Sequence, residues 1–340
     1  MDYVIAGAGL FGATCARLLT DAGKRVVVLE KRDQVGGNCA DELKDDILVG
    51  KYGGHIFHTN SDRIWKYINK FADFTQYEHR VKAKYKGRVY SFPINKLTFD
   101  QFGLPVNSIT ESVLRDIFFT AYSEKQWGRP ITAIPQSILK RVPIRKNYDD
   151  RYFSDKYQGM PIGGYTKMIE KMLKGIEVKL KTDASHDLGY WRAHLGNAKL
   201  IYTGPIDAYF DYELGRLEYR SLEFRTLKDS GDFQGCATVN YADANIPYTR
   251  TIEWKYFYHQ SLPYSYFTYE YPRPGSSLSE PYYPIRDDKN VGLLNQYKAM
   301  VEREDWLLVG GRLGSYQYLN MDQAIAQAMK LVDGELNNGS

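Results

Sequence analysis

The sequence is poor in cysteine and has no long apolar segment. Three of its 340 residues are cysteine (Cys15, Cys39 and Cys236), scattered without the spacing of a metal site or a disulfide framework. No stretch reaches the apolar length of a membrane span, and no signal peptide is visible. These absences predict a cytoplasmic protein with reduced thiols and no membrane insertion.

A strong excess of one charge is also lacking. The 45 basic and 41 acidic residues leave a net charge of +4, and no run of basic residues forms a stripe that could follow a phosphate backbone. We therefore expect no nucleic-acid partner. The hydrophobic content of 43% and charged content of 25% are ordinary for a soluble enzyme, and the length predicts two or three domains.

The strongest motif lies in the first forty residues. A short apolar run is followed by Gly7-Ala-Gly-Leu-Phe-Gly12, then by a helical stretch and a second apolar run that ends in Glu30. Gly7 permits a tight turn, Gly9 lets the backbone approach a pyrophosphate, and Gly12 lets the helix pack closely against the strand. Glu30 has the spacing of a carboxylate that accepts from a ribose hydroxyl. This order predicts a dinucleotide-binding βαβ unit.

Two further glycine pairs stand near predicted strand ends. Gly36-Gly37-Asn38 follows soon after Glu30, and Gly310-Gly311-Arg312 ends a late apolar run. Such pairs are typical of backbone that passes close to a phosphate or a flat ligand, although an ordinary loop would also account for either one. If both serve the same pyrophosphate, the two ends of the chain lie in one domain.

The rest of the chain divides by its periodicity. Residues 79–92 read as a hairpin, 96–145 as mostly helical, 217–272 as antiparallel strands and 320–336 as an amphipathic helix. We therefore predict an α/β fold made of a discontinuous Rossmann-like domain with an inserted small helical domain and an antiparallel β-sheet domain. The predicted limits are 1–78, 196–216 and 304–340 for the Rossmann-like domain, 96–145 for the helical domain, and 79–95, 146–195 and 217–303 for the sheet domain.

Side chains that could perform catalysis by themselves are hard to find. His55 and His58 are too isolated from cysteines and acids to predict a metal site, and no Ser/His/Asp or Cys/His pattern is evident. The 29 tyrosines have two readings, packing at the edges of a sheet or the wall of a pocket for a nucleotide and a sugar. The residues alone therefore do not assign a catalytic mechanism.

Taken together, the motifs resemble those of the bacterial FAD-dependent UDP-galactopyranose mutases, almost from end to end. The Glu-Lys-Gln-Trp-Gly and His-Ile-Phe-His segments are the most specific to that family. The matching segments are Gly7 to Gly12, Glu30-Lys-Arg, Gly36-Gly-Asn38, Lys51-Tyr-Gly-Gly-His-Ile-Phe-His-Thr59, Ser91-Phe-Pro-Ile-Asn95, Tyr122-Ser-Glu-Lys-Gln-Trp-Gly128, Lys140-Arg-Val-Pro-Ile-Arg145, Tyr152-Phe-Ser-Asp-Lys-Tyr-Gln-Gly159, Tyr202-Thr-Gly-Pro-Ile-Asp207, Pro247-Tyr-Thr-Arg250, Glu280-Pro-Tyr-Tyr-Pro284 and Gly310-Gly-Arg-Leu313.

The resemblance implies a reaction without net oxidation. Reduced FAD attacks the anomeric carbon of UDP-galactopyranose through its N5 atom and displaces UDP. The flavin–sugar adduct opens, the ring recloses through another hydroxyl, and UDP returns to give UDP-galactofuranose. The implied partners are a UDP-sugar and an electron donor such as NAD(P)H, and the implied role is the synthesis of a cell-surface glycan.

The resemblance also implies roles for individual residues. Arg141 and Arg250 match the arginines that hold the diphosphate, Arg141 on a loop that closes over the substrate, and both are assigned with His55 to the catalytic set. The matching substrate residues are Phe118, Tyr122 and Trp127 in the wall, Tyr152, Tyr283 and Tyr318 at the diphosphate, and Asn320. The matching cofactor residues are Gly7, Gly9, Phe11, Gly12, Glu30, Lys31, Gly37, Asn38, His55 and Arg312.

Two features depart from the family pattern. The family usually carries an aspartate at the position of Asn320, so the charge near the flavin differs and the preferred sugar is left open. The helical insertion between Asn95 and Tyr122 is shorter than usual. Because part of that insertion usually serves subunit contact, a homodimer is not assumed.

Other substrates and other functions are also compatible with the motifs. UDP-galactose is the default substrate, while UDP-arabinopyranose, an N-acetylated galactose or a deoxy-sugar nucleotide would use the same ring chemistry. A flavin oxidase or dehydrogenase of the amine-oxidase type shares the framework and would oxidise its substrate. A non-catalytic nucleotide-sugar binding protein would bind UDP whatever the redox state of the flavin.

Overall fold

The computed structural model describes residues 1–106, 108–134, 142–185, 188–275 and 280–338. Its strands are β1 Tyr3–Ala6, β2 Val26–Leu29, β3 Asp41–Lys44, β4 Ile47–Gly50, β5 Phe57–Thr59, β6 Val81–Tyr85, β7 Arg88–Phe92, β8 Tyr157–Gly159, β9 Glu177–Lys179, β10 Lys199–Tyr202, β11 Tyr219–Ser230, β12 Thr238–Tyr241, β13 Arg250–Glu253, β14 Tyr264–Pro274, β15 Tyr283–Pro284 and β16 Leu307–Val309. Its α-helices are α1 Leu10–Asp21, α2 Asp62–Ile68, α3 Lys96–Phe102, α4 Ser108–Arg115, α5 Ala121–Trp127, α6 Tyr165–Met172, α7 Leu188–Leu195, α8 Ile206–Tyr209, α9 Asp288–Val301, α10 Gly311–Gly314 and α11 Met321–Asn338.

A five-stranded parallel sheet forms the centre of the first domain. Its strand order is β16-β10-β1-β2-β9, so strands from both ends of the sequence are neighbours. Successive residues of β1 point to opposite faces: Ile5 joins the core under α1 and α11, and Val4 joins the core that contains residues of α9. A parallel sheet covered on both faces is the expected arrangement for a Rossmann-like domain, and the α/β prediction is confirmed.

One predicted domain limit differs from the structure. Strand β9 pairs in parallel with β2 through Val28 and Val178, so this part of residues 146–195 belongs to the parallel sheet rather than to the antiparallel sheet domain. Helix α6 also packs its buried Met168 and Ile169 in the core that contains α1. The three-residue strand Glu177–Lys179 has too little alternation to show which sheet it joins.

The second sheet has seven strands in the order β15-β11-β14-β13-β12-β6-β7. Most of its neighbours are antiparallel, as predicted, and β6 and β7 form the expected hairpin. The exception is β12, which pairs in parallel with β6 through Val239 and Lys82. The alternation of side chains along a strand is the same in both directions, so the sequence does not reveal this parallel pair.

The predicted helical region is present between β7 and the second sheet. Helix α3 starts at a capping box in which the Asn95 side chain accepts from the N–H groups of Leu97 and Thr98. Helix α4 continues through a π-helical turn, Asp116–Thr120, directly into α5. Among the described residues no helix is both long enough and apolar enough to cross a membrane.

Candidate active site

A large cavity opens at the carboxyl ends of β1, β2 and β10, where parallel sheets of this kind bind their ligands. Its volume is about 870 Å³. Twelve of the residues proposed from sequence line it: Gly7, Gly9, Phe11, Gly12, Glu30, Lys31, Gly37, Asn38, His55, Trp127, Arg312 and Asn320. The cavity therefore collects segments that are up to three hundred residues apart in the chain.

The glycines of the first motif leave room that a side chain would fill. A Cβ on Gly12 would stand 2.0 Å from the carbonyl oxygen of Gly7, and one on Gly37 would stand 2.9 Å from the Cα of Gly9. Gly9 is the N-cap of α1 and supplies no side-chain cap, so the first N–H groups of that helix lack a side-chain partner from the cap residue. Close backbone approach and free helix N–H groups suit a pyrophosphate.

The late glycine segment reaches the same cavity. Gly311, Arg312 and Leu313 line it, and a Cβ on Gly310 would stand 2.2 Å from the Phe11 ring. The N–H of Gly311 donates to the Gln327 side chain at 2.7 Å, so that group is already used inside the protein. The segment thus contributes its close packing and its arginine, and it presents fewer backbone donors than the sequence suggested.

Glu30 and Arg32 line the cavity just beyond the carboxyl end of β2. The Glu30 carboxylate is buried and accepts from the backbone N–H of Ala8 at 2.7 Å and of Arg32 at 2.9 Å. Arg32 in turn donates to the Asn38 side chain at 3.1 Å and lies 4.2 Å over the Tyr52 ring. Arg32 escaped the residue-by-residue assignment although it stands next to Lys31 in a matching motif.

Arg250 is the centre of a second group of polar side chains. Its guanidinium donates to the Tyr122 hydroxyl at 2.8 Å, and its Nε lies 3.8 Å from the carboxylate of the buried Glu270. That Nε is buried and has no hydrogen-bond partner within the described protein. Burial raises the pKa of Glu270, and the positive charge of Arg250 opposes the shift. A buried donor without an acceptor is suited to an anionic oxygen of a ligand.

Tyrosine rings join this group to the cavity. Tyr283 stacks on Tyr318 with ring centres 5.4 Å apart and lies 5.9 Å from Trp127. Tyr152 and Tyr283 are both close enough to Arg250 to interact with it electrostatically. Burial raises the pKa of Tyr283 well above its usual value. The structure therefore brings together five residues that the resemblance assigned to the substrate: Tyr122, Trp127, Tyr152, Tyr283 and Tyr318.

His55 is a neutral side chain in the cavity wall. Burial and the charge of Arg312 lower its pKa to about 4, so the ring is uncharged at neutral pH. Its Nδ1 lies 3.0 Å from the carbonyl oxygen of Gly53, which can only accept, so Nδ1 carries the proton. This assignment leaves Nε2 as an acceptor in a residue that lines the cavity.

Two of the proposed substrate residues are not part of this assembly. Phe118 is 3% exposed and packs among Tyr90, Phe92 and Phe102 in the core of the helical region, outside the cavity lining. Its contact with a base stays a prediction. Arg141 lies outside the residues that the structure describes. Glu270, next to Arg250, was missed because an acid in an alternating strand gives no signal of its own.

The comparisons with known proteins agree with this geometry. The family model "UDP-galactopyranose mutase" matches residues 117–318, and a model of the NAD(P)-binding Rossmann-like domain matches residues 5–71. A probable UDP-galactopyranose mutase of Klebsiella pneumoniae is 39% identical, over 99% of this chain and 95% of that protein. A dTDP-fucopyranose mutase of Escherichia coli is 34% identical, over 98% of both chains. A crystal structure of reduced UDP-galactopyranose mutase superposes with a TM-score of 0.75 at 16% identity, covering 99% of this chain and 94% of the other.

The cavity also fits the cofactor of that family. The glycine contacts leave space for a pyrophosphate, Arg312 adds a positive charge, and the volume of about 870 Å³ falls in the range of cofactor and ligand sites. FAD is therefore the cofactor, and the enzyme is an isomerase. The chain belongs to the UDP-galactopyranose mutase family.

Proposed function

We propose that this protein interconverts UDP-galactopyranose and UDP-galactofuranose, or a closely related nucleotide sugar, with no net redox change. The observation that carries the proposal is the half-buried Arg250 beside the FAD cavity, whose buried Nε has no hydrogen-bond partner among the described residues and whose other end is held by Tyr122. A cation fixed in this way can hold the diphosphate both before and after the sugar leaves it.

The protein must stabilise the diphosphate that leaves the sugar. UDP must depart with its charge stabilised and must stay close enough to return, because the same nucleotide recombines with the isomerised sugar. A guanidinium binds two oxygens at once, and tyrosine hydroxyls donate to the remaining ones. Arg250, Tyr152, Tyr283 and Tyr318 supply these donors, and Arg141 is proposed as a second cation.

The base requires a flat contact surface. Trp127 lines the cavity and its ring centre lies 5.9 Å from that of Tyr283, so its indole connects the cavity wall to the proposed diphosphate residues. We propose that Trp127 and Tyr122, both on α5, form the wall against which uridine packs. This wall lies on α5 and Arg250 lies on β13, so a substrate that contacts both extends from the helical region to the seven-stranded sheet.

When bound, reduced FAD supplies the nucleophilic N5 atom through which the sugar is exchanged. The neutral His55 offers an unprotonated Nε2 that can accept a hydrogen bond near the ring without adding a positive charge. Burial beside Arg312 keeps the His55 ring neutral over the physiological range. The enzyme needs an electron donor to reach the reduced state, and we propose NAD(P)H for this role.

The sugar is the least determined part of the substrate. The 34% identical Escherichia coli relative is named for another nucleotide and another sugar, as a dTDP-fucopyranose mutase, which supports testing more than one substrate. Asn320 lines the cavity and has the shape of an aspartate without its charge, with an amide NH2 donor in place of one carboxylate oxygen. UDP-galactose stays the first choice, and UDP-arabinopyranose and dTDP-fucopyranose are the alternatives to test.

The test is incubation of dithionite-reduced protein with each of the three pyranose nucleotides, followed by chromatography that separates pyranose from furanose. We expect a new peak of unchanged mass that is absent with oxidised protein and with Arg250→Ala. A product of altered mass would indicate an oxidase and overturn the proposal. Binding of UDP without any isomer, in reduced protein that contains FAD, would favour a binding protein instead.

A further inference from the structure

The ammonium group of Lys125 lies in a cage of backbone carbonyls next to the proposed substrate site. Its Nζ is 2.8 Å from the carbonyl oxygen of Tyr241, 2.9 Å from that of Asp243, 3.1 Å from that of Ile246 and 3.2 Å from that of Tyr248. All four oxygens belong to the end of β12 and the turn that follows it. A lysine in a solvated surface position does not collect four acceptors of this kind.

This turn leads directly into Arg250. Residues 242–249 join β12 to β13, and β13 begins at Arg250. The conformation of the turn therefore determines the position of the Arg250 backbone, from which the guanidinium extends. Lys125 fixes it through main-chain atoms, which makes the restraint independent of the side chains that the turn carries.

The other end of the restraint is helix α5. Lys125 is three residues after Tyr122, so the two side chains lie on the same face of the helix. Tyr122 accepts from Arg250, while Lys125 holds the turn before it. The carbonyls that end the helix are held separately, since Arg220 donates to the carbonyl oxygens of Gln126 at 2.9 Å and of Lys125 at 3.2 Å.

We infer that Lys125 is a positioning residue for the diphosphate site: its caged ammonium sets the distance between Arg250 on β13 and the Tyr122–Trp127 wall on α5. This inference rests on the proposed function, which gives Arg250 the diphosphate. Lys125 itself touches neither the cofactor cavity nor the reacting atoms and acts through Arg250.

A second lysine whose ammonium is surrounded by carbonyls provides a control. Lys255 is also caged: its Nζ donates to the carbonyl oxygens of Gly231 at 2.8 Å and Leu262 at 3.2 Å and pairs with Asp232 at 2.6 Å. It lies in a 3-10 helix and does not line the cavity. Replacement of either lysine by methionine removes such an ammonium, but only Lys125 holds the turn before Arg250.

The experiment compares UDP binding to FAD-loaded Lys125→Met, Lys255→Met and wild-type protein. We expect Lys125→Met to weaken UDP about tenfold, raise KM by a similar factor and affect kcat less, while Lys255→Met stays within twofold for UDP although both variants lose thermal stability. In an Arg250→Ala background, Lys125→Met should weaken UDP binding by less than a further twofold. If Lys125→Met does not retain FAD, Lys125→Gln, whose amide still donates to carbonyls, is measured in its place.

Failure of the positioning role and failure of the proposed function give different results. Equal effects of Lys125→Met and Lys255→Met on UDP binding, or additive effects of Lys125→Met and Arg250→Ala, would overturn the positioning role. Absence of binding of both UDP and dTDP to the wild-type protein would overturn the proposed function itself.

Discussion

The guanidinium of Arg312 lies 4.8 Å over the centre of the Tyr318 ring. Tyr318 stacks on Tyr283, and Tyr283 adjoins Trp127, so a continuous row of contacts runs from the arginine of the cofactor cavity to helix α5. The proposed flavin and substrate sites therefore share a wall. A change in one of these residues is expected to be detected in both flavin and nucleotide binding.

Replacement of Arg250 tests the diphosphate site. In Arg250→Lys the positive charge persists, but the planar fork is lost. We expect kcat/KM to fall by about 10–10²-fold, consistent with the about 1.5–3 kcal/mol of a lost hydrogen bond to a charged group. Tyr122→Phe removes a single hydrogen bond and should cost about tenfold. Steady-state kinetics of the reduced enzyme measures both, and equal rates in Arg250→Lys and wild type would contradict the assignment.

Replacement of Gly12 tests the cofactor cradle. A methyl group there meets the carbonyl oxygen of Gly7 at 2.0 Å, so Gly12→Ala should lose bound FAD and thermal stability. Gly292, in α9, is the control, because a Cβ at that position meets no atom within 4 Å. Gly292→Ala should keep its flavin and gain up to about 1 kcal/mol of stability. Flavin absorbance per chain and FAD affinity after reconstitution decide the comparison; a wild-type flavin content in Gly12→Ala would be inconsistent with the cradle.

A buried histidine predicts sensitivity to acid. Burial lowers the pKa of His79 to about 3, so the folded protein leaves this ring neutral while the unfolded chain protonates it below about pH 6.5. The unfolded state then binds more protons, and the free energy of unfolding falls as the pH falls from 6.5 towards 3.

His79→Gln removes this contribution. Between pH 6.5 and 4.5, wild type should lose up to about 1.4 kcal/mol per pH unit more than the variant. The exposed His194 is the control, and His194→Gln should follow wild type. Denaturant unfolding at three pH values measures the slopes, and parallel slopes for wild type and His79→Gln would show that the imidazole has no such role.

The departure at Asn320 predicts a change in flavin potential. Asn320→Asp places a negative charge in the cavity wall, where it disfavours an anionic reduced flavin. We expect the midpoint potential to become more negative by about 10–30 mV, since 30 mV corresponds to about 1.4 kcal/mol for two electrons. Asn69→Asp, on the exposed end of α2, is the charge control. A potential that does not move in Asn320→Asp would place the side chain too far from the ring to matter.

Local patterns place the glycines of the first motif at the cavity. Gly7, Gly9 and Gly12 are close together in the sequence and all three line it, while their contact with a cofactor stays a prediction. Arg250 and Tyr122 are 128 residues apart, and no spacing rule brings them together. The resemblance assigned both to the substrate, and the structure shows the hydrogen bond that joins them.

Tertiary packing explains what the sequence reading lacked. The resemblance assigned Phe118 to a substrate wall, and that contact stays a prediction; its side chain is buried among rings of the helical region, within the π-helical turn Asp116–Thr120. Lys125 stands in the most specific motif of the chain, and nothing in its neighbours shows that its partners are main-chain oxygens far along the sequence. Strand β9 was assigned to the sheet domain, which is wrong, because a strand of three residues is too short to show the alternation of buried and exposed side chains.

The strand order of the parallel sheet has a consequence for synthesis on the ribosome. Strand β1 is synthesised long before β16, so its sheet is incomplete until β16 follows, and the cofactor cavity lacks Arg312 until then. The complete cavity therefore forms only after β16 and Arg312 have been synthesised. The seven-stranded sheet lies wholly between these strands and is free to fold first, while the N-terminal βαβ unit waits for its last partner.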